Sequence, residues 1–172
     1  MRLFLPDLYV PSVFAIDLEE LKKQGIKGMI ADLDNTLIEW NVPLATPDLA
    51  RWLKQVEAQG FKLVVVSNNR EERVRRFCQP LELPFISRAR KPLRSSFKKA
   101  EQMLGLSKEE IAVVGDQLLT DILGGNRLGY YTILVVPIVE TDGFFTRLNR
   151  KMERLIFYWL KKKGLFLGDE KG

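Results

Sequence analysis

The stretch Gly28-Met29-Ile30-Ala31-Asp32-Leu33-Asp34-Asn35-Thr36 joins a short apolar run to two closely spaced carboxylates. Residues 28–33 predict a strand, because a short apolar run bounded by turn-forming residues is typical of a strand that is buried on both faces of a sheet. Asp32 and Asp34 then fall at the carboxyl end of this strand. Parallel sheets bind their ligands beyond the carboxyl ends of the strands, so we expect the chemistry of the protein to begin here.

Four further apolar runs predict the rest of the sheet, at residues 61–66, 85–86, 111–114 and 130–136. Between them lie a helix that starts with the cap Thr46-Pro47-Asp48 and ends at Gly60, and helices at 70–79, 94–104 and 118–128. This alternation indicates an α/β fold with a five-stranded parallel sheet, in which right-handed crossovers place helices on both faces.

The length of 172 residues suits one domain with short appendages. We expect a lead-in at residues 1–24 packed on the core, a core at 25–143, and a separate carboxy-terminal segment at 144–172.

The composition excludes several kinds of catalytic site. The chain has no histidine, which rules out Ser-His-Asp triads, histidine phosphatases and histidine-ligated zinc hydrolases. Its single cysteine, Cys78, cannot form an intrachain disulfide, and Pro84 stands where a cysteine phosphatase needs arginine. We find neither a credible signal peptide nor an apolar run of about eighteen residues, so we expect a cytoplasmic protein that does not span a membrane.

Polar side chains follow the predicted strands at one edge of the sheet. These candidates are Asp32, Asp34, Ser67, Asn68, Asn69, Lys91, Asp116 and Asp121. Four carboxylates in one crevice would repel, by roughly 4 kcal/mol for a like-charged pair about 4 Å apart at an effective dielectric near 20. A divalent cation would relieve this repulsion, and oxygen ligands without thiolate or imidazole favour Mg²⁺. The sequence thus predicts a magnesium site that bridges protein and substrate phosphate.

The spacing of Asp32 and Asp34 suits phosphate ester hydrolysis. An aspartate nucleophile forms and then loses an aspartyl-phosphate, while a second carboxyl protonates the departing oxygen and later activates water. Two residues apart on an extended segment, the two side chains fall on the same side. Ser67 and Lys91 would hold the phosphate oxygens.

Simpler roles are open for several of these residues. Aspartates at strand ends often cap helices or form turns, and an acid early in a helix, as at Asp121, complements the helix dipole. Thr36 and Asn69 could cap their loops. Lys91 lies in the basic run 88–94 and could be an ordinary solvated lysine. The occurrence of all the groups together, in order, favours the catalytic interpretation.

The same residues resemble, in order, the four motifs of the haloacid dehalogenase (HAD) superfamily over about residues 26–136. The resemblance implies a Rossmann-like three-layer sandwich, Mg²⁺ as cofactor, Asp32 as nucleophile and Asp34 as acid and base. The second acid of the first motif favours phosphatases over dehalogenases. The implied phosphate-binding residues are Ser67, Asn68, Lys91 and Thr36, and the implied metal ligands are Asp32, Asp34, Asp116 and Asp121.

Further segments narrow the resemblance. Residues 6–10, 32–40, 67–69 and 115–127 look like the YqeG branch of bacterial HAD phosphatases, of subfamily IIIA, which is similar to mitochondrial phosphatidylglycerophosphatases. This implies removal of phosphate from phosphatidylglycerophosphate. The intervals after Thr36 and between 67 and 91 leave no room for a cap domain, and similar capless members act on large or surface-displayed substrates. A soluble phosphate, such as a sugar phosphate, nucleotide or phosphoprotein, is the alternative substrate.

The carboxy-terminal segment 144–172 carries the net charge of +5, since it holds eight of the 27 basic side chains and three of the 22 acidic ones. Apolar residues at 145, 148, 152, 155 and 159 predict a basic amphipathic helix. Its apolar face would pack on the body or on another subunit, or residues 144–163 would bind an anionic membrane, where each basic residue contributes about 1 kcal/mol. A peripheral position on the inner face of the membrane would suit a phospholipid substrate.

A third hypothesis makes the basic segment an RNA- or ribosome-binding element on a phosphatase scaffold. We disfavour it because the aromatic residues of the segment follow helical placement rather than the placement that stacks on bases. No specific nucleic acid is therefore expected.

Overall fold

The computed structural model describes residues 2–139 and Tyr158, and its strands form one six-stranded parallel sheet. The strands are β1 (Leu8–Val10), β2 (Gly28–Ala31), β3 (Lys62–Val66), β4 (Phe85–Ile86), β5 (Ile111–Gly115) and β6 (Tyr131–Val135). Their spatial order is β1-β6-β5-β2-β3-β4. The helices are α1 (Leu18–Lys23), α2 (Pro47–Ala58), α3 (Glu71–Cys78), α4 (Arg94–Leu104) and α5 (Leu123–Asn126).

The sheet has six strands, so the prediction of five strands was wrong. The additional strand is β1, which lies at the edge of the sheet beside β6. Its Leu8 and Val10 pair with Ile133 and Val135 of β6. A strand of three residues between prolines gives too short an apolar run to be recognised, and prolines are tolerated because β1 is an edge strand. The Asp7 carboxylate accepts hydrogen bonds from Thr132 N (2.8 Å) and Oγ1 (3.0 Å), which helps to fix β1 beside β6.

The three central strands run in register, so their carboxyl ends meet at one edge of the sheet. Ala31 of β2 pairs with Val65 of β3 on one side and with Val114 of β5 on the other. Nearly every residue of these strands is buried, as the continuous apolar runs predicted. The segments that follow β2, β3 and β5 therefore leave the sheet side by side.

Helices cover both faces of the sheet, which confirms the predicted α/β class. One core cluster joins apolar side chains of α1, α2 and α3 to one face, and a second joins Phe97, Ala100 and Leu104 of α4 to the other face. The cap of α2 is as predicted, since Thr46 Oγ1 accepts a hydrogen bond from Leu49 N at 3.2 Å.

The predicted helix 118–128 takes a different form. Residues Leu118–Ile122 make a π-helical turn that leads into the short α5. Two glycines follow this turn where the backbone approaches other elements closely: a β-carbon on Gly125 would lie 2.7 Å from Thr132, and one on Gly124 would collide with the Phe97 ring. A single π turn inside a helical segment is frequent at functional sites.

The connections that could hold an inserted domain are short. Residues 32–46 join β2 to α2, and residues 67–70 join β3 to α3. The helix predicted in 144–172 lies outside the described residues, apart from the exposed Tyr158. In the described part of the chain, no helix combines the length and apolar character needed to cross a bilayer.

Candidate active site

Three aspartates meet at the carboxyl edge of the sheet. Asp32 follows β2, Asp116 follows β5, and Asp121 lies in the π turn beyond β5; all three side chains are buried. One carboxylate oxygen from each lies within 4.8 Å of the others. The structure thus brings together three of the four residues predicted as metal ligands.

Lys91 enters this cluster from the loop between β4 and α4. Its Nζ lies 2.6 Å from Asp32 Oδ1 and 2.7 Å from Asp121 Oδ1, and its side chain is 3% exposed. Burial by itself would lower the pKa of Lys91, but the carboxylates of Asp121 and Asp32 outweigh burial and raise the pKa above its ordinary value. Lys91 is therefore a fixed cation beside Asp32, and not a solvated lysine of a basic run.

The π turn determines where the Asp121 carboxylate lies. Its Oδ2 accepts a hydrogen bond from Gln117 N at 3.2 Å, and its other oxygen faces Lys91. The carboxyl group packs directly over Gly115, where any β-carbon would collide with it. Burial raises the pKa of Asp121 to about 6, although Lys91 opposes the shift. A buried carboxyl in such a setting gains from a cation in addition to Lys91.

Asp34 lies apart from the three-aspartate cluster. Its Oδ2 accepts a hydrogen bond from Asn69 Nδ2 at 3.0 Å, and its Oδ1 lies 3.0 Å from Arg73 Nη2. The chain turns after Asp34, where Asn35 has a φ of 65°. Burial raises the pKa of Asp34, and Asn69 and Arg73 oppose the rise. A carboxyl with a raised pKa is suited to donate a proton.

Arg73 was missed in the sequence. It lies in α3, its guanidinium contacts Asp34 and also donates to the Glu39 carbonyl (3.3 Å), and its side chain is 16% exposed. The sequence places Arg73 in the first turn of α3, close to the strand-end residues 67–69, which is a weak sign that it lies near the site. The sequence does not show that its partner is Asp34, because charged residues are common on exposed helices.

The residues after β3 hold the loop around Lys91. Asn68 Oδ1 accepts a hydrogen bond from Lys91 N (2.7 Å), and Asn68 Nδ2 donates to the Lys91 carbonyl (3.3 Å). Ser67 Oγ accepts a hydrogen bond from Asn69 N (3.1 Å). The Thr36 hydroxyl donates to Asp116 Oδ1 at 3.3 Å. Thr36 thus contacts the carboxylate cluster from within the protein.

A cavity of about 350 Å³ opens over these groups. Its walls are formed by Asp32, Asp34, Asn35, Trp40, Ser67, Asn68, Asn69, Lys91, Gln117 and Thr120. It thus contains Asp32, Asp34, Ser67, Asn68 and Lys91, which were predicted from the sequence as catalytic or phosphate-binding groups. Asn35, Trp40, Gln117 and Thr120 also line the cavity and were not predicted as site residues.

The donor set suits a divalent metal ion. The buried cluster holds three carboxylates and one ammonium, which leaves an excess of two negative charges. At the 4.8 Å limit and an effective dielectric near 20, each carboxylate pair would repel by about 3.5 kcal/mol. Carboxylate oxygens without thiolate or imidazole match the preference of Mg²⁺. The residues present therefore fit a magnesium ion.

Carboxylates, a buried lysine, and hydroxyl and amide groups converge at the carboxyl edge of a parallel sheet. This fold and this site together define the class of the protein, a phosphatase. The chain belongs to the haloacid dehalogenase-like hydrolase family, which it matches over residues 13–129. The predicted relation to HAD phosphatases of the YqeG type is confirmed by this match and by the similarities that follow.

The chain is 53% identical over 169 residues to a Bacillus subtilis protein described as a probable phosphatase, YqeG, with 98% of each chain covered. It is 28% identical to the chloroplastic/mitochondrial phosphatidylglycerophosphate phosphatase 1 of Arabidopsis thaliana, and 30% identical to the chloroplastic enzyme of Chlamydomonas reinhardtii. These two similarities cover 92% and 93% of this chain but 49% and 62% of the relatives, so the chain spans about half to three fifths of their length.

Among solved structures, the fold is similar to that of the cobalt-bound deoxy-D-mannose-octulosonate 8-phosphate phosphatase of Haemophilus influenzae. The TM-score is 0.52 at 17% sequence identity, and 86% of this chain and 95% of that chain are covered. At this identity the similarity concerns the fold alone.

Proposed function

We propose that the protein is a magnesium-dependent phosphomonoester hydrolase that uses Asp32 as nucleophile and acts on a phospholipid head group, phosphatidylglycerophosphate. The observation that carries the chemistry is the contact of Asp32 with the buried Lys91, in a cavity that Asp34 also lines. The lysine places a positive charge beside Asp32, at the point where a phosphate would enter.

In the first step, an oxygen of Asp32 attacks phosphorus while the bond from phosphorus to the ester oxygen breaks. Asp34 gives its proton to the departing oxygen, so that an alcohol leaves. The raised pKa of Asp34 supports this role, since the acid must carry a proton when the alcohol leaves. The product of the step is an aspartyl-phosphate on Asp32.

In the second step, Asp34, now ionised, takes a proton from water, and the water oxygen attacks the phosphorus of the aspartyl-phosphate. The bond from phosphorus to Asp32 breaks, inorganic phosphate leaves, and both carboxyls return to their initial states. Arg73 and Asn69 hold the Asp34 carboxylate at the cavity wall through both steps.

Asp32, Asp116 and Asp121 would hold the magnesium ion. When bound, the ion neutralises the excess negative charge and polarises the phosphate oxygens. Asp34, the fourth predicted ligand, has its carboxylate engaged by Asn69 and Arg73, so we assign its side chain to proton transfer.

Ser67, Asn68 and Lys91 would bind the transferred phosphate, as proposed from the sequence. Ser67 and Asn68 line the cavity beside Lys91. Thr36 was also proposed to contact phosphate, but its side chain is buried and does not line the cavity. Its hydrogen bond to Asp116 supports a role in orienting that carboxylate.

Two observations support a phospholipid substrate. The named activity of two relatives is removal of phosphate from phosphatidylglycerophosphate. The short connections 32–46 and 67–70 support an active site without a cap domain, which a substrate held in a membrane could reach. A soluble phosphate monoester would reach the same site, so the substrate has to be measured.

The test is a panel assay of phosphate release with and without Mg²⁺. The panel contains phosphatidylglycerophosphate in mixed micelles, p-nitrophenyl phosphate, sugar phosphates and nucleotides. Highest turnover on the lipid supports the proposal, and higher turnover on a soluble phosphate would reject the lipid substrate while leaving the mechanism in place.

The mechanism is tested by matched asparagine variants. Asp32→Asn should abolish turnover, and Asp34→Asn should lower it by about 10²–10⁴-fold, the usual contribution of a general acid and base. Asp48→Asn is the control, because Asp48 is exposed on α2 and contacts Arg51. Full activity of Asp32→Asn would disprove the nucleophile.

A further inference from the structure

The exposed apolar side chains are concentrated at the active-site edge of the sheet. Nine large apolar side chains are exposed within residues 2–139. Six of them follow the carboxyl ends of strands: Phe14, Trp40, Leu44, Leu93, Val136 and Ile138. Phe14 follows the edge strand β1 and packs against Trp52 of α2, so the other five form a separate group. Single exposed apolar residues need no explanation, but a group around one cavity marks an interaction surface.

Trp40 and Ile138 are tied directly to the cavity, and the other members of the group lie on segments that leave the sheet at the same edge. Trp40, which is 48% exposed, forms part of the cavity wall. Ile138 N donates a hydrogen bond to the carbonyl of Asn35, another wall residue, at 3.1 Å. Leu93 is two residues beyond Lys91, and its N donates to the carbonyl of Arg90 at 3.0 Å. We call Trp40, Leu44, Leu93, Val136 and Ile138 the apolar rim.

Four exposed arginines lie beside the apolar rim. Arg70 directly follows the wall residue Asn69, and Arg88 N donates to the Asn69 carbonyl at 2.9 Å. Arg90 and Arg94 stand on either side of Lys91 and Leu93. None of the four forms an ion pair with another described residue. We call these four residues the arginine flank.

The acidic residues exposed at this edge do not neutralise all of the positive charge of the arginine flank. Asp48 and Glu71, at the starts of α2 and α3, are paired with Arg51 and Arg75. Glu72 is exposed, and Glu39, the neighbour of Trp40, is half-buried, so two carboxylates oppose two of the four charges. Outside the buried carboxylate cluster, the exposed surface of this edge therefore combines apolar side chains with an excess of positive charge.

We propose that the active-site edge docks on an anionic lipid bilayer, with the apolar rim at the level of the head groups and the arginine flank on lipid phosphates. The inference rests on the proposed phospholipid substrate and adds the surface that presents it. Aromatic and aliphatic side chains beside basic ones are the combination that binds the interface of an anionic membrane. A cavity of about 350 Å³ takes the phosphate end of a lipid, while its acyl chains stay in the bilayer.

The first test is flotation of the full chain with vesicles of phosphatidylcholine, with or without phosphatidylglycerol. The wild type should bind the anionic vesicles. Arg88→Gln, Arg90→Gln and Arg94→Gln combined should weaken binding by about 100-fold, since each charge contributes roughly a factor of five at an anionic surface. The control is Lys99→Gln with Arg127→Gln, exposed positions away from this edge, which should change binding far less.

The apolar rim is tested in the same assay. Leu44→Asn, Leu93→Asn, Val136→Thr and Ile138→Asn combined should weaken binding by about 10-fold or more. Leu3→Asn with Met103→Asn is the matched control, because these two exposed apolar residues lie near the opposite edge. Binding of the rim variant equal to that of the wild type would overturn the proposal. So would a rim variant that changes only the oligomeric state in sedimentation, because the face would then join two copies of the chain.

Hydrolysis of p-nitrophenyl phosphate separates this proposal from the proposed function. Rim variants should keep the wild-type rate on that soluble ester and lose rate on phosphatidylglycerophosphate embedded in vesicles. A wild type that binds vesicles through the rim but hydrolyses neither substrate would refute the function and leave the docking surface. A wild type that hydrolyses both, with rim variants unchanged on vesicles, would refute the docking surface alone.

Discussion

Replacing Lys91 with methionine should destabilise the metal-free protein by about 3–5 kcal/mol, the usual cost of removing one partner from a buried ion pair. Lys91 Nζ lies 2.6 Å and 2.7 Å from carboxylate oxygens of Asp32 and Asp121, and its side chain is 3% exposed. Methionine keeps most of the side-chain volume and removes the cation. The loss should therefore reflect charge rather than an empty cavity.

For a chain of this size, 1 kcal/mol corresponds to about 2–4 °C in Tm, so the variant should unfold roughly 10 °C lower in EDTA. In the wild type, Lys91 and a metal ion share the same carboxylates. Mg²⁺ should accordingly raise the Tm of Lys91→Met more than that of the wild type; at 100 times Kd a ligand contributes about 2.7 kcal/mol. The measurement is thermal unfolding followed by circular dichroism, with EDTA or with increasing MgCl₂.

The matched controls for this experiment are Lys91→Arg, which keeps the charge, and Lys99→Met, which removes an exposed lysine of α4. An unchanged Tm of Lys91→Met in EDTA would refute the reasoning about buried charge. A lower Tm that Mg²⁺ fails to raise would show that the carboxylates do not hold the metal.

Three further predictions concern Gly115, Arg73 and Glu110. Gly115→Ala should displace the Asp121 carboxylate, because the new methyl group would collide with it, and should weaken Mg²⁺ binding in calorimetry; unchanged binding would contradict this. Arg73→Met should lower kcat on p-nitrophenyl phosphate by about 10-fold or more through loss of the contact that positions the general acid, with partial recovery in Arg73→Lys. Hydrogen bonds, of which the one from Lys27 has the largest effect, lower the pKa of Glu110 to about 2. The ionised Glu110 therefore stabilises the fold fully above the ordinary pKa of a glutamate, and this stabilisation is lost as pH falls through about 2. Glu110→Gln should therefore be less stable than the wild type to urea at neutral pH, and the difference should shrink in acid.

Most of the site could be predicted because its residues directly follow apolar runs. In a parallel sheet with its strands in register, a local feature, the end of a buried run, determines a three-dimensional position. Asp32, Ser67 and Asp116 satisfy this condition. Lys91 lies in a loop, yet it follows β4 closely enough to reach the same edge.

The unpredicted parts depend on contacts between segments that are distant in sequence. Arg73 meets Asp34 across 39 residues, and β1 finds its partner β6 more than a hundred residues later. The different surroundings of Asp32 and Asp34 also depend on such contacts. Because side chains alternate along a strand, the two-residue spacing predicts that the Asp32 and Asp34 side chains lie on the same side. However, β2 ends at Ala31 and the chain turns at Asn35, so the two carboxylates acquire different partners.

The topology that assembles the site also explains why the apolar rim lies at the same edge of the sheet. Each segment that supplies a catalytic or phosphate-binding group leaves the sheet at the carboxyl edge and runs along that edge until the next helix begins. Trp40 and Leu44 lie on the connection that starts at Asp32, and Leu93 lies on the connection that contains Lys91. The strands that position the carboxylates therefore also hold the exposed apolar residues of these connections at the same edge of the sheet, and Trp40 lines the cavity itself. A substrate that combines a phosphate with an apolar anchor would meet both features at once, whereas a small soluble phosphate would use the cavity alone. The ratio of rates on these two kinds of substrate, in the wild type and in the rim variant, measures how far the edge is adapted to the first kind.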